Sequence, residues 1–168
     1  MTDNSPLLRA KRARTALAGP YGHPFHPILV TIPIGTWVAS LVFDIIGYAS
    51  ADPTPWALGA QVLILIGVIG AVLAAIFGLI DFTGIASGTP AKRTGLTHLA
   101  LNLTAVVLFL VNYIVRAASD HQHVNTVGFV LTIIGLIVGA ISGWLGGKLA
   151  YHYGVRVAAE DTQAEGFR

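Results

Sequence analysis

Histidine carries most of the chemistry open to this sequence. Two imidazoles stand close together in His23-Pro24-Phe25-His26-Pro27, and His98, His121, His123 and His152 follow. Asp44 and Asp81 are carboxylates at the edges of long apolar runs, and Asn102 lies one helical turn after His98. Neutral imidazole and carboxylate ligate transition metals, and a pair of imidazoles holds the iron of a b-type haem. The chain has no cysteine, which excludes disulfides, thiolate metal sites, Cys-ligated iron–sulfur clusters and thiol nucleophiles. Gly-x-Ser-x-Gly, His-Glu-x-x-His and phosphate-cradling loops are missing too. The chain is therefore not expected to be an enzyme on its own.

The elements that must position these residues are of one kind. Charged residues are only 11% of the 168, and apolar residues are 54%; a soluble domain carries about 25% charge. Residues 15–43, 53–80, 94–115 and 121–147 contain no Asp, Glu, Lys or Arg. Each run exceeds the roughly 20 residues a helix needs to cross a bilayer. A soluble enzyme, a disordered tail and a nucleic-acid-binding domain are excluded, and β-barrel strands would be shorter and would alternate. The spacing predicts helices over about 27–48, 56–80, 96–115 and 126–150. Asp52-Pro53-Thr54-Pro55, then Gly84, Gly88 and Pro90, then the polar stretch Ala117 to Asn125 separate them. Residues 1–22 read as a basic N-terminal segment rather than a cleavable signal, 23–153 as the transmembrane domain, and 154–168 as a solvated tail.

Arg9, Lys11, Arg12, Arg14, Lys92, Arg93, Lys148 and Arg156 fall on one side of this topology, whereas the two opposite loops hold only Arg116. The Lys/Arg bias places both termini in the cytoplasm. The expected fold is all-α: a polytopic protein with four transmembrane helices in an up-down-up-down bundle, in the cytoplasmic (inner) membrane of a bacterium. Arg9, Lys11, Arg12 and Arg14 are expected to meet anionic lipid headgroups.

That topology gathers His23, His26, His98, His152 and Asp81 near one leaflet. His26 and His98 lie near the N-termini of helices running the same way, where the macrodipole favours the neutral, ligating imidazole. Asp81 closes a helix C-terminus, where the dipole opposes a carboxylate. It therefore calls for a cation, a metal or a proton, and Lys148, His152, Lys92 and Arg93 are on its side. Asp44 has the same difficulty at the outer end, and Arg116 is its expected partner in a structural ion pair. Gly135, Gly139, Gly143 and Gly147 recur every four residues, a small-residue ladder suited to close helix packing within the chain or between chains.

Three readings of the histidine cluster compete. It is polar glue in a non-catalytic accessory subunit, with imidazoles hydrogen-bonding across helix ends. Or His26 and His98 hold a single b-type haem, with His23 and His152 supporting. Or His26, His98 and Asp81 hold a transition metal. Either cofactor would make the chain a redox-associated subunit with a redox protein partner. Transport is disfavoured, because no internal repeat or pair of broken helices is present.

The stretch His23-Pro24-Phe25-His26-Pro27, followed by Ile28-Leu29-Val30-Thr31-Ile32-Pro33-Ile34-Gly35, resembles a bacterial membrane family catalogued as domain of unknown function 2231. The resemblance continues through Trp37, Phe43-Asp44, Gly78-Leu79-Ile80-Asp81, and His98 with Asn102, and covers about residues 20–150. It implies a four-helix fold without an agreed activity. His23, Pro24, His26, Pro27, Asp44, Asp81 and His98 match the family pattern, and His152 has no counterpart in it. Some relatives are joined to a Rieske-type iron–sulfur domain, which implies redox company.

Overall fold

A helix pairs every backbone N–H and C=O inside its own segment, which is what an apolar run needs in lipid. The computed structural model describes residues 5–13, 15, 19 and 23–167. After a short α1 (Pro6–Lys11), the first long segment is α2 (Phe25–Leu29) running into α3 (Thr31–Ala49). Then come α4 (Thr54–Thr83), α5 (Pro90–Ala117) and α6 (Thr126–Gly147). A π-helical turn over Lys148–His152 extends α6, and α7 (Glu160–Glu165) ends the chain. No strand occurs among the described residues. Among the described residues four helices are long and apolar enough to cross a membrane: Phe25–Ala49, Thr54–Thr83, Pro90–Ala117 and Thr126–His152.

α4 and α5 begin before the expected residues 56 and 96 because the turn residues ahead of them start the helices early. Thr89 Oγ1 accepts from the Lys92 N–H at 3.1 Å, and Pro90 fills the first turn of α5. Asp52 Oδ1 accepts from the Thr54 N–H at 3.1 Å as α4 begins. The break at Val30 also has a local cause. Pro33 has no N–H to offer the Leu29 carbonyl, so α2 stops there. The Val30 N–H still reaches His26 O at 3.1 Å, and Thr31 Oγ1 donates to Ile28 O at 2.7 Å, so the chain turns without losing its direction.

α3 packs chiefly on α4 and α5 on α6, and α4–α5 and α3–α6 contacts join the two pairs. Each helix turns a stripe of three- and four-residue steps inward. On α3 it is Pro33, Trp37, Ser40, Asp44 and Gly47; on α5 it includes Ala105, Phe109, Asn112 and Arg116. On α4 it includes Ala57, Ala60, Ile64, Gly67 and Ala74. That 3.5-residue period is the seam of an antiparallel bundle with knobs-into-holes packing. Midway along it Trp37 and Phe109 stack, their centroids 3.8 Å apart and their planes 10° apart. Ile64 and Val68 close round them, and Trp37 Nε1–H donates to Ile64 O at 3.3 Å. The opposite faces, among them Ile34, Val38 and Ile45 on α3 and Leu103, Val107 and Ile114 on α5, are exposed, as surfaces solvated by lipid are.

The four-residue glycine ladder of α6 does not act as one face. A Cβ on Gly135 would land 2.6 Å from Phe109, but one on Gly139 or Gly143 would meet nothing within 4 Å, and one on Gly147 only its own Tyr151 at 3.9 Å. Four residues advance a helix by a full turn plus about 40°, so such a row winds away from a 3.5-residue seam. The residues of α6 buried in the seam are Gly128, Thr132, Gly135 and Ser142.

Candidate functional site

Two polar layers interrupt the apolar seam, one on each side of the Trp37–Phe109 stack. The first is built on His26 and His98. His26 Nδ1–H donates to Ala74 O on α4 at 2.8 Å. A Cβ on Gly78, one turn further, would lie 2.9 Å from that nitrogen, so glycine leaves the space the ring occupies. His98 Nδ1–H donates to Ser142 O at 2.8 Å. Ser142 Oγ lies 3.0 Å from the same nitrogen and donates its own proton to His98 O at 3.1 Å. Asn102 Nδ2–H donates to His98 Nε2 at 3.0 Å. These donors fix the tautomer: the proton is on Nδ1, and the Nε2 lone pair is used. Gly146 approaches the ring as Gly78 does the other, its Cβ position 3.1 Å from Cε1. The two imidazoles face each other edge to face, centroids 6.3 Å apart.

Asp81 is half-buried beside this pair. Its charge partner is Arg156, whose Nε lies 2.8 Å from Oδ1. His26 is the next group acting electrostatically on it. Arg156 reaches Asp81 because the chain reverses after the π turn: Gly154 at φ 69° and Arg156 at φ 60° both take the left-handed conformation. Glycine adopts it freely, whereas arginine must be held there. The Arg156 N–H donates to Ala10 O at 3.0 Å, and Ala10 packs with Ile85 and Val155. None of the cations named from the sequence as partners for Asp81 forms an ion pair with it among the described residues. Lys92 Nζ donates to Phe82 O at 3.0 Å and sits over the Phe82 ring, Lys148 lies over Tyr153, His152 packs on Tyr153, and Arg93 is exposed. An arginine beyond the last apolar run, two residues after a glycine, was the available signal for Arg156.

The second layer is fully buried. Arg116 grips Asp44 with two bonds, Nη1 to Oδ1 at 2.7 Å and Nη2 to Oδ2 at 2.6 Å. Its Nε–H donates to Asn112 Oδ1 at 2.8 Å, Asn112 Nδ2–H donates to Thr132 Oγ1 at 2.8 Å, and Thr132 passes its proton to Gly128 O at 3.0 Å. Asn112 and Thr132 complete a network that the sequence reading reduced to the ion pair alone. Their places on the inward seam, in register with Arg116, were the signal for them. Beyond this layer His121 Nε2 meets Gln61 Oε1, and His123 is exposed.

The family model described as a predicted membrane protein, DUF2231, matches residues 22–159. The chain belongs to the DUF2231 family. No curated protein and no solved structure matches it. In this DUF2231 chain the doubled His-Pro has a structural use: Pro24 stands at the N-cap of α2, and His26 reaches from the first turn to α4. His26, His98 and Asp81 come together in the layer. His23 and His152 are exposed and stand outside it. Arg14 lies outside the described residues.

The layer is a poor fit to a bis-histidine haem. Both ring nitrogens of His98 are engaged by protein, and only Nε2 of His26 makes no hydrogen bond to the described residues. Among the described residues no group of three His, Asp or Glu side chains is arranged to hold a metal ion.

Proposed function

We propose that this DUF2231 member is an accessory subunit of a bacterial cytoplasmic membrane, with both termini inside and no catalysis of its own. Its His26–His98–Asp81–Arg156 layer works as a clamp: His26 ties α2 to α4, His98 ties α5 to α6, and Arg156 ties the C-terminal segment to α4. The observation that carries this reading is the full engagement of His98, with Ser142 O on one nitrogen and Asn102 on the other. Lys/Arg bias supports the orientation. The rival is a redox-associated subunit with one haem or metal at His26 and His98, working with a redox protein. The closeness of the two rings favours it, and Asn102 would have to release Nε2. Such a group would supply one-electron transfer at one membrane surface.

Absorbance spectra and elemental analysis of detergent-purified protein, expressed with haem precursor and metals supplied, separate the two. The clamp predicts no Soret band, no stoichiometric metal, and a lowered Tm for His98→Ala. A Soret band or bound metal that both His26→Ala and His98→Ala abolish would replace the clamp with the redox reading.

A further inference from the structure

We propose that the end of the bundle carrying α1 and the C-terminal segment is a docking surface for anionic phospholipid headgroups, assembled from α1, the start of α5 and the end of α6. Arg9 and Arg12, with Arg93 and Lys148, are all exposed there. Lys11 is turned aside: its Nζ donates to Ala158 O at 3.1 Å, so the surface differs from the simple N-terminal basic run. α1 is held in place through Ala10, packed with Ile85 and Val155, while its Leu7 is 54% exposed beside the arginines. An apolar side chain among cations suits the boundary between headgroups and acyl chains.

A second observation marks the same level. Trp144, Lys148 and Tyr151 follow one another at four- and three-residue spacing, so they share a face, and Trp144 is 79% and Tyr151 92% exposed. Exposed indole and phenol rings next to a lysine are the anchors of a membrane–water interface. The charge at the two ends is opposite. In the loops at the far end the exposed charges are Asp52 and Asp120, and Arg116 is withdrawn into its buried pair. Glu160, Asp161 and Glu165 on α7 offset part of the positive charge at the near end. Complementarity to an anionic leaflet belongs to that end alone.

Quenching of Trp144 by brominated lipid tests this on the full chain reconstituted in phosphatidylcholine vesicles. Brominated phosphatidylglycerol and brominated phosphatidylcholine are compared at equal mole fraction, and a Trp144→Phe variant supplies the background. The expected result is preferential quenching by phosphatidylglycerol, reflecting a local enrichment of roughly fivefold or more, the effect of one basic side chain near an anionic surface. The excess should fall as salt is raised, a measurement made on the unaltered chain. It should also fall in the quadruple variant Arg9→Gln, Arg12→Gln, Arg93→Gln, Lys148→Gln. Equal quenching by the two lipids, or an excess that survives both salt and the variant, would overturn the proposal.

Discussion

The Asp44–Arg116 contact is bidentate and fully buried, and its energetics follow from that burial. Both side chains are out of solvent, at 0% and 1% exposure, and nearly every donor and acceptor is matched by Asn112 and Thr132. Removing one partner strands a charge in a low dielectric, at a cost of about 3–5 kcal/mol, whereas replacing both with apolar residues is close to neutral. Thermal unfolding in detergent should therefore show a large drop in Tm for Asp44→Ala or Arg116→Ala alone, and a much smaller one for the Asp44→Leu, Arg116→Met double variant. This pair was legible from the sequence because the outer end offers a single arginine to a single misplaced carboxylate. The partner of Asp81 was not, because Arg156 gets there through a chain reversal and a left-handed backbone that no hydropathy pattern records. Arg156→Gly relieves that backbone but removes the charge. Arg156→Ala should accordingly destabilise more than Arg156→Gly, and Arg156→Lys less than either, by chemical denaturation.

At the scale of the helix, what matters is which small residues face the seam. A methyl on Gly135 would strike Phe109, and one on Gly78 would strike the His26 ring. Each Gly→Ala change should cost roughly 1–3 kcal/mol through overpacking. Gly143→Ala meets open space and should be neutral, or gain up to about 1 kcal/mol from helix propensity. Ranking the melting temperatures of the three variants checks the assignment of faces; a Gly143→Ala variant as damaged as Gly135→Ala would contradict it. The existence of the four helices was plain from the length of the charge-free runs. Their inward faces were hidden because all sides of each helix are apolar, so hydrophobic contrast could not show which way a helix turns. The polar residues hold that information: Ser40 and Asp44, Asn112 and Arg116, Thr132, and Ser142 all fall on the buried stripes.

For the whole molecule, four crossings would set both described ends of the chain on the same side of a membrane, and the Arg156 N–H donates to Ala10 O across those ends. The absence of native cysteine makes this directly measurable. Cysteines placed singly at Asp52 and Gln122 should react with a membrane-impermeant maleimide from one face of sealed vesicles, and those at Arg12 and Gln163 from the other. Labelling of Arg12→Cys and Gln163→Cys from opposite faces would contradict the four-crossing topology. The stacked pair at mid-bundle has a further consequence. With Gly67 against the edge of Trp37 and Gly135 against Phe109, the backbones of α4 and α6 close in on the two rings. In an energised bilayer a charge carried from one polar layer past this stack to the other would cross part of the membrane field, at about 2.3 kcal/mol per elementary charge for each 100 mV crossed.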